Sequence, residues 1–363
     1  MSPFSRNLTL HPLLMALTAL VVLLGAALPA GGSVISVADQ LRGITMTQAQ
    51  CAALPQAVWL GVMGRNYCIR YYLSTVGGEG TRPAVFIQGD RLGRLNLKTG
   101  EFSPGPRDKD LDTDDFVRMA DVLSKQTATA AIYLARPGLD GSSGDHRIRH
   151  TTLELTVTNA ALDAIKRRHG FEGFHLIGQS GGSTLVGGML ALRADVGCAV
   201  IGSGRLLYER TRRSPDPAAD YFNVAEAVPV IAGKRATRIL VVTDPQDRKV
   251  PEPVQTGFVR MLRQAGGEAE QFLVQAIDDD RHGVTAYSRT AAAACMRGAS
   301  GDDIAQRLEQ QVEKRLAAKL AAEPAATQQQ TAATVPTTTA WPSNATAMTA
   351  SAMTASAQSA SGR

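Results

Sequence analysis

Short apolar runs recur through the middle of the chain, and stretches with helical periodicity lie between most of them. The runs lie at 84–88, 130–135, 174–177, 199–201, 239–243 and 272–276. Apolar side chains recur three or four positions apart over 113–125, 152–169, 181–193 and 253–265, which predicts helices. This alternation predicts an α/β fold class, with a mostly parallel central sheet and helices on both faces.

An antiparallel hairpin is predicted before this alternation and an edge helix after it. Residues 58–74 contain two β-rich runs separated by Gly64-Arg65-Asn66, a pattern typical of hairpins. The last helix, at 302–321, has apolar residues at every fourth position. Because that spacing does not keep a heptad, it predicts packing on the domain edge rather than a coiled coil.

Both ends of the chain are predicted to lie outside the folded domain. Residues 13–28 are apolar or small and follow Arg6, which is typical of a secretory signal peptide cleaved near 30–33. An uncleaved membrane anchor is the alternative, although the run is short for a span of about 20 residues. The predicted layout is a signal peptide at 1–32, the α/β domain at 33–300, a C-terminal helix at 301–322 and a disordered Ala/Thr/Ser-rich tail at 323–363.

Composition narrows the class of protein further. With 44% hydrophobic and 20% charged residues, the chain is an ordinary folded protein. The net charge of +5 is too small over 363 residues to indicate a nucleic-acid binder. Four cysteines permit disulfides in an oxidising compartment, and the hairpin-like stretch favours Cys51 with Cys68 as a pair, whereas the pairing of Cys198 and Cys295 stays open. No cysteine or histidine spacing resembles a zinc site, and we expect neither a metal nor an organic cofactor.

The strongest chemical motif is G-x-S-x-G at 178–182, between a predicted strand and a predicted helix. Its glycines let the backbone turn sharply, so that Ser180 projects above the sheet at a helix N-terminus. There the Gly181 N–H and the helix dipole favour negative charge. A dinucleotide-binding loop is the alternative interpretation, but Ser180 occupies its middle glycine position.

A serine nucleophile needs a base, and the base needs an orienting acid. Asp247 follows the run 239–243, and His282 follows the last run of the domain. Asp244 lies in the same loop as Asp247, but it abuts a proline and more simply starts a turn. His146 and His150 are four residues apart without a nearby acidic partner, which indicates a solvated loop rather than a metal site.

The order Ser, Asp, His, with the acid followed by Val-Pro and the histidine by Gly, resembles the α/β-hydrolase superfamily over roughly residues 55–300. The resemblance implies Ser180 as nucleophile, His282 as general base and acid, and Asp247 as the orienting acid. It also implies an oxyanion hole formed by the N–H of Gly181 and of Asp90, with Arg91 as a near alternative to Asp90. A free Asp90 carboxylate would oppose catalysis there, so it must point away or be paired.

These observations predict an exported serine hydrolase that cleaves a carboxylic ester through an acyl-enzyme. A peptidase or amidase of the same fold is the alternative, and a non-catalytic binding protein of that fold is a third. The interval 201–239, where the superfamily inserts its lid, is short and predicts a small cap. Its arginines, at positions 205, 210, 212 and 213, are more typical of a solvated face than of an acidic-substrate site. The expected partner is a small ester or peptide, with no nucleic acid and no stable membrane insertion after signal cleavage.

Overall fold

The computed structural model describes residues 34–78, 80–91, 93–95, 102–105, 109–207 and 220–322. The predicted signal peptide, the predicted tail and three of the four cap arginines lie outside these ranges. The helices are α1 (Val37–Arg42), α2 (Gln48–Ala52), α3 (Thr113–Thr127), α4 (Thr152–His169), α5 (Gly181–Leu192), α6 (Val228–Ala232), α7 (Glu252–Gln264), α8 (Thr285–Met296) and α9 (Gly301–Ala322). The strands are β1 (Val34–Ile35), β2 (Ala57–Val62), β3 (Arg65–Leu73), β4 (Ala84–Ile87), β5 (Arg94–Leu95), β6 (Phe102–Ser103), β7 (Leu111–Asp112), β8 (Ala131–Leu134), β9 (Phe174–Gln179), β10 (Val196–Gly202), β11 (Arg238–Thr243) and β12 (Glu270–Leu273).

Eight of these strands form one sheet in the order β12-β11-β10-β9-β4-β8-β3-β2. Strand β3 runs antiparallel to β2 and β8, and every other neighbouring pair is parallel. This mostly parallel sheet with a hairpin at its edge is the predicted α/β-hydrolase fold. The carboxyl ends of its parallel strands meet at one edge, so the loops that follow β4, β8, β9 and β11 all lie at that edge.

Helices cover both faces of the sheet. In β4, Val85 and Ile87 face one apolar layer, whereas Ala84 and Phe86 face the other, because successive side chains of a strand point in opposite directions. Helices α4 to α7 contribute to the first layer, and α3, α8 and α9 contribute to the second. Within the described ranges, no helix is both long and apolar enough to cross a bilayer.

The hairpin turn lies earlier than the sequence predicted. Arg65 belongs to β3 and pairs with Val62 across the ladder, so the turn consists of Met63 and Gly64. Both have positive φ, at 49° and 74°, as a two-residue turn needs when its twist must match that of the two strands. The prediction was wrong here because a methionine gives no sign that it will adopt the left-handed conformation.

Two disulfides join elements that are separate in sequence. The predicted pair, Cys51 with Cys68, connects α2 to β3. Cys198 on β10 and Cys295 on α8 form the second bridge, which the sequence left open.

Candidate active site

Ser180 occupies a sharp turn between β9 and α5. Its backbone has φ 53° and ψ −120°, a strained conformation for a residue with a side chain. The flanking glycines are required by close packing: a Cβ on Gly178 would lie 2.5 Å from the backbone of Ser183, and one on Gly182 would lie 2.1 Å from the Ile87 carbonyl oxygen. The turn therefore projects Ser180 at the carboxyl edge of the sheet and the N-terminus of α5.

His282 lies in the loop between β12 and α8, and Asp247 lies in the loop after β11. The His282 Nδ1 is 2.8 Å from Asp247 Oδ2 and 3.0 Å from Oδ1. Oδ1 also accepts hydrogen bonds from the backbone N–H groups of Lys249 and Val250. Burial alone would raise the pKa of Asp247, but the hydrogen bonds from His282 and Val250 outweigh it and lower that pKa below its usual value. An ionised Asp247 holds the proton on Nδ1, which leaves Nε2 as the basic nitrogen.

Asp244 has a different set of contacts. Its side chain is wholly buried and forms an ion pair with Arg281, at 2.6 Å between Oδ2 and Nε. It also accepts hydrogen bonds from the backbone N–H groups of Gln246 and Ala276. The structure therefore brings Asp247, and not Asp244, to the imidazole of His282.

Gln179 connects the His282 loop to the serine turn. Its side-chain Nε2 donates to the backbone carbonyl of His282 at 2.8 Å, and its Oε1 accepts from Thr285 Oγ1 at 3.2 Å. Because Gln179 directly precedes Ser180, these bonds fix the histidine loop against the serine. In the part of the chain that is described, the Ser180 hydroxyl itself has no hydrogen-bond partner. Catalytic hydrogen bonds often tighten only when substrate is bound.

The loop after β4 packs directly on the serine turn. A Cβ on Gly89 would lie 3.0 Å from the Ser180 Cβ, and one on Gly181 would lie 2.0 Å from Asp90 Oδ1. The Asp90 carboxylate is paired, as the sequence required: Oδ1 lies 2.8 Å from Arg136 Nη1, and Oδ2 lies 2.7 Å from His150 Nε2. Partial desolvation would raise the pKa of Asp90, but the charges of His150 and Arg136 outweigh it and hold that pKa well below its usual range.

The prediction of a solvated loop for the two histidines was wrong. His146 is wholly buried, and the side chain of His150 is only 12% exposed. Arg136 and Glu154 are also buried, and Arg136 Nε lies 2.8 Å from Glu154 Oε1. We call Asp90, Arg136, His146, Arg149, His150 and Glu154 the charge cluster. The signal that could have found it is Arg136 at the end of an apolar run, since a buried arginine needs acidic partners.

The residues of the described ranges contain no group of three or more His, Cys, Asp or Glu side chains arranged to hold a metal ion.

Neither a family model nor a curated protein sequence matches this chain. Among solved structures it is similar to a Pyrococcus horikoshii acylaminoacyl peptidase, with a TM-score of 0.46 and 13% identity over 68% of this chain and 41% of that chain. It is also similar to a Pyrococcus furiosus esterase, with a TM-score of 0.48 and 10% identity over 70% of this chain and 96% of the other. A putative dienelactone hydrolase from Klebsiella pneumoniae gives a TM-score of 0.43 and 16% identity over 70% and 94%. The chain thus spans less than half of the peptidase, and at these values the likeness says nothing about substrate.

Proposed function

We propose that this α/β-hydrolase fold is a serine hydrolase in which Ser180, His282 and Asp247 form the catalytic triad. The observation that carries the proposal is the Asp247–His282 pair. Gln179 connects this pair by a hydrogen bond to the strained turn that presents Ser180. A histidine whose Nδ1 faces a buried carboxylate has its other nitrogen available as a base. A strained backbone conformation at a serine is typical of a turn that presents the hydroxyl to a substrate.

In the proposed reaction, Ser180 Oγ attacks the carbonyl carbon of the substrate while His282 Nε2 takes the hydroxyl proton. Asp247 stabilises the imidazolium that forms. His282 then donates this proton to the leaving group as the carbon–oxygen bond of the ester breaks, which leaves an acyl group on Ser180. A water molecule, deprotonated by His282, attacks the acyl carbon and regenerates the serine.

The negative oxygen of each tetrahedral intermediate needs donors that are already in place. The first N–H groups of a helix have no partner within the helix, and the Gly181 N–H lies at the start of α5, where the helix dipole also favours negative charge. We assign the second donor to the Asp90 N–H, because Gly89 packs against Ser180. Arg91 is the near alternative, and its guanidinium is bound to Asp140.

A carboxylic ester is the proposed substrate class, with a peptide or amide as the second candidate. We also propose that the protein is exported, with residues 1–32 as its signal peptide. The two disulfides of the described residues support an oxidising compartment.

A fluorophosphonate probe tests the nucleophile, because it labels only an activated serine. We expect labelling of the native protein and none of Ser180→Ala, together with a fall in kcat of about 10⁴ to 10⁶ on p-nitrophenyl esters. Ser203→Ala is the matched control: Ser203 follows the neighbouring strand β10, and its buried hydroxyl has no hydrogen-bond partner within the described ranges.

An unlabelled native protein would favour the non-catalytic binding protein. Retained hydrolysis in Ser180→Ala would show that the nucleophile is wrong. A panel of p-nitrophenyl esters and aminoacyl amides then separates an esterase from a peptidase.

A further inference from the structure

The guanidinium of Arg70 is buried in the fold without an acidic partner. Arg70 lies on β3, and only 4% of its surface is exposed. In the part of the chain that the structure describes, its guanidinium forms no ion pair and no hydrogen bond, and its Nε is shielded from solvent. A buried arginine is normally paired with an acid, because a charge that leaves water loses its hydration. Arg70 therefore departs from the usual arrangement of a buried cation.

Two neighbours hold the Arg70 side chain in place. Tyr72 lies two residues along the same strand, and the guanidinium carbon is 5.0 Å from the centroid of its ring, a distance at which an aromatic face attracts a cation. Gly141, with φ 83°, packs on the stem, since a Cβ there would lie 3.6 Å from Arg70 Cγ. These contacts position the guanidinium, but an aromatic face does not neutralise its charge.

Arg70 also lines a cleft between β3, α1 and the segment 43–46. The cleft has a volume of about 380 Å³, which is within the range of sites that bind small molecules. Apolar side chains form part of its wall, from Ile35, Ile44, Met46 and Leu54. A molecule in this cleft would therefore contact both a cation and an apolar surface.

The acidic residue of the cleft wall is Asp39, and it has a cation of its own. Its carboxylate forms an ion pair with Arg42, and the two side chains are 57% and 71% exposed. Because these two charges offset each other, the charge of Arg70 is the one that a ligand would neutralise. A second negative charge on the ligand would face Asp39 without a matching cation. The cleft therefore favours a ligand with a single negative charge.

We propose that this cleft binds a small organic monocarboxylate, which pairs with the Arg70 guanidinium and places its apolar part against Ile44 and Met46. The planar fork of an arginine matches the two oxygens of a carboxylate. In the sheet, β8 and β4 separate β3 from β9, so at about 4.8 Å per strand the site lies on the order of 14 Å from the serine turn. It does not depend on the serine-hydrolase function proposed above.

Sodium butyrate is the probe for this site, and butyramide, which has nearly the same shape without the charge, is the matched neutral ligand. We expect calorimetry to show one butyrate per chain with a Kd on the order of 1 mM, because so small a ligand has few contacts to contribute. Butyrate at about 100 times this Kd should raise Tm by about 5 °C relative to sodium chloride of the same ionic strength. Butyramide should raise it by under about 1 °C, because it carries no charge for Arg70 to bind.

Two replacements at position 70 and one elsewhere on β3 locate the binding. Arg70→Met removes the charge and no hydrogen bond of the described residues, so it should fold and bind butyrate at least about tenfold more weakly. Arg70→Lys keeps the charge but loses the planar fork, and should bind about threefold more weakly. The control Arg65→Met removes the same charge from an exposed position of the same strand and should leave the Kd unchanged.

Four results would overturn the inference. They are the absence of saturable butyrate binding, an equal response to butyramide, undiminished binding in Arg70→Met, and tighter binding of inorganic phosphate than of butyrate. Undiminished binding in Arg70→Met would place butyrate elsewhere, such as at the serine turn. If Arg70→Met did not fold, an unchanged Kd in Arg70→Lys would overturn the inference instead.

None of these measurements uses hydrolysis. An unlabelled Ser180 would therefore reject the proposed function alone, and a failure to bind butyrate would reject this site alone.

Discussion

Substitutions of the two aspartates that follow β11 should have different effects, one on catalysis and the other on stability. Asp244→Asn and Asp247→Asn remove one charge each, change almost no volume and lie in one loop. Asp247 contacts His282, whereas the wholly buried Asp244 contacts Arg281. The proposed mechanism requires that Asp247→Asn folds normally but turns over poorly, and that Asp244→Asn turns over normally but is less stable.

The size of each effect follows from these contacts. Loss of the orienting carboxylate costs about 10⁴ in kcat, or about 5.4 kcal/mol of transition-state stabilisation, because the imidazole can adopt the wrong tautomer. Breaking a buried ion pair costs about 3 to 5 kcal/mol. The Arg281 side chain is 20% exposed, and an asparagine oxygen can still accept from the Ala276 N–H, so we expect about 2 kcal/mol for Asp244→Asn. That corresponds to a fall in Tm of about 5 °C for a domain of this size.

The assay is a pair of measurements on each purified variant: kcat on one p-nitrophenyl ester at fixed pH, and Tm by circular dichroism. Asp247→Asn should bind substrate with nearly native KM and unfold close to the native temperature. If Asp244→Asn were the crippled enzyme at native Tm while Asp247→Asn retained turnover, the acid assignment would be reversed. Equal catalytic losses in both variants would refute the distinction drawn from their contacts.

Three further results are expected. Gly182→Ala should abolish activity because the added Cβ would lie 2.1 Å from the Ile87 carbonyl oxygen. In the control Gly77→Ala the added Cβ would have nothing within 4 Å, so labelling by fluorophosphonate should stay at the native level. Burial holds the pKa of His146 well below its usual value, so below about pH 6.5 this residue takes up a proton only in the unfolded chain. The free energy of unfolding should therefore decrease as the pH is lowered, by up to about 1.4 kcal/mol per pH unit. In urea titrations between pH 7 and 5, His146→Leu should show a flatter dependence on pH. Peptide mapping without reductant should recover Cys51 joined to Cys68, a closure that stabilises the fold by about 3 kcal/mol on the chain-entropy argument, and alkylatable thiols at both positions would contradict it.

Much of the fold could be predicted from the sequence because its elements are encoded locally. Apolar runs bounded by turn residues gave the strands near their observed positions, and three- and four-residue spacing gave α3, α4, α5 and α7. The hairpin turn shifted because backbone conformation at Met63 depends on the twist of the two strands rather than on the residue itself.

The residues of the candidate triad lie in local sequence motifs, whereas the residues of the charge cluster do not. Ser180, Asp247 and His282 each follow a strand within a short motif, so their neighbourhood is visible in the linear chain. Asp90, Arg136 and His150 become neighbours only because β8 inserts between β4 and β3 in the sheet. No spacing rule encodes that adjacency, and the carboxylate that the His150 ring contacts comes from 60 residues away.

The bridge between Cys198 and Cys295 closes a covalent ring with a sequence separation of 97. Asp247 and His282 both lie inside this ring, and Ser180 lies outside it. A protease that cuts once within the ring therefore cannot release either the acid or the base from the remainder of the molecule. We expect such a nicked protein to migrate as one chain until it is reduced, and to lose its activity with reduction rather than with the cut.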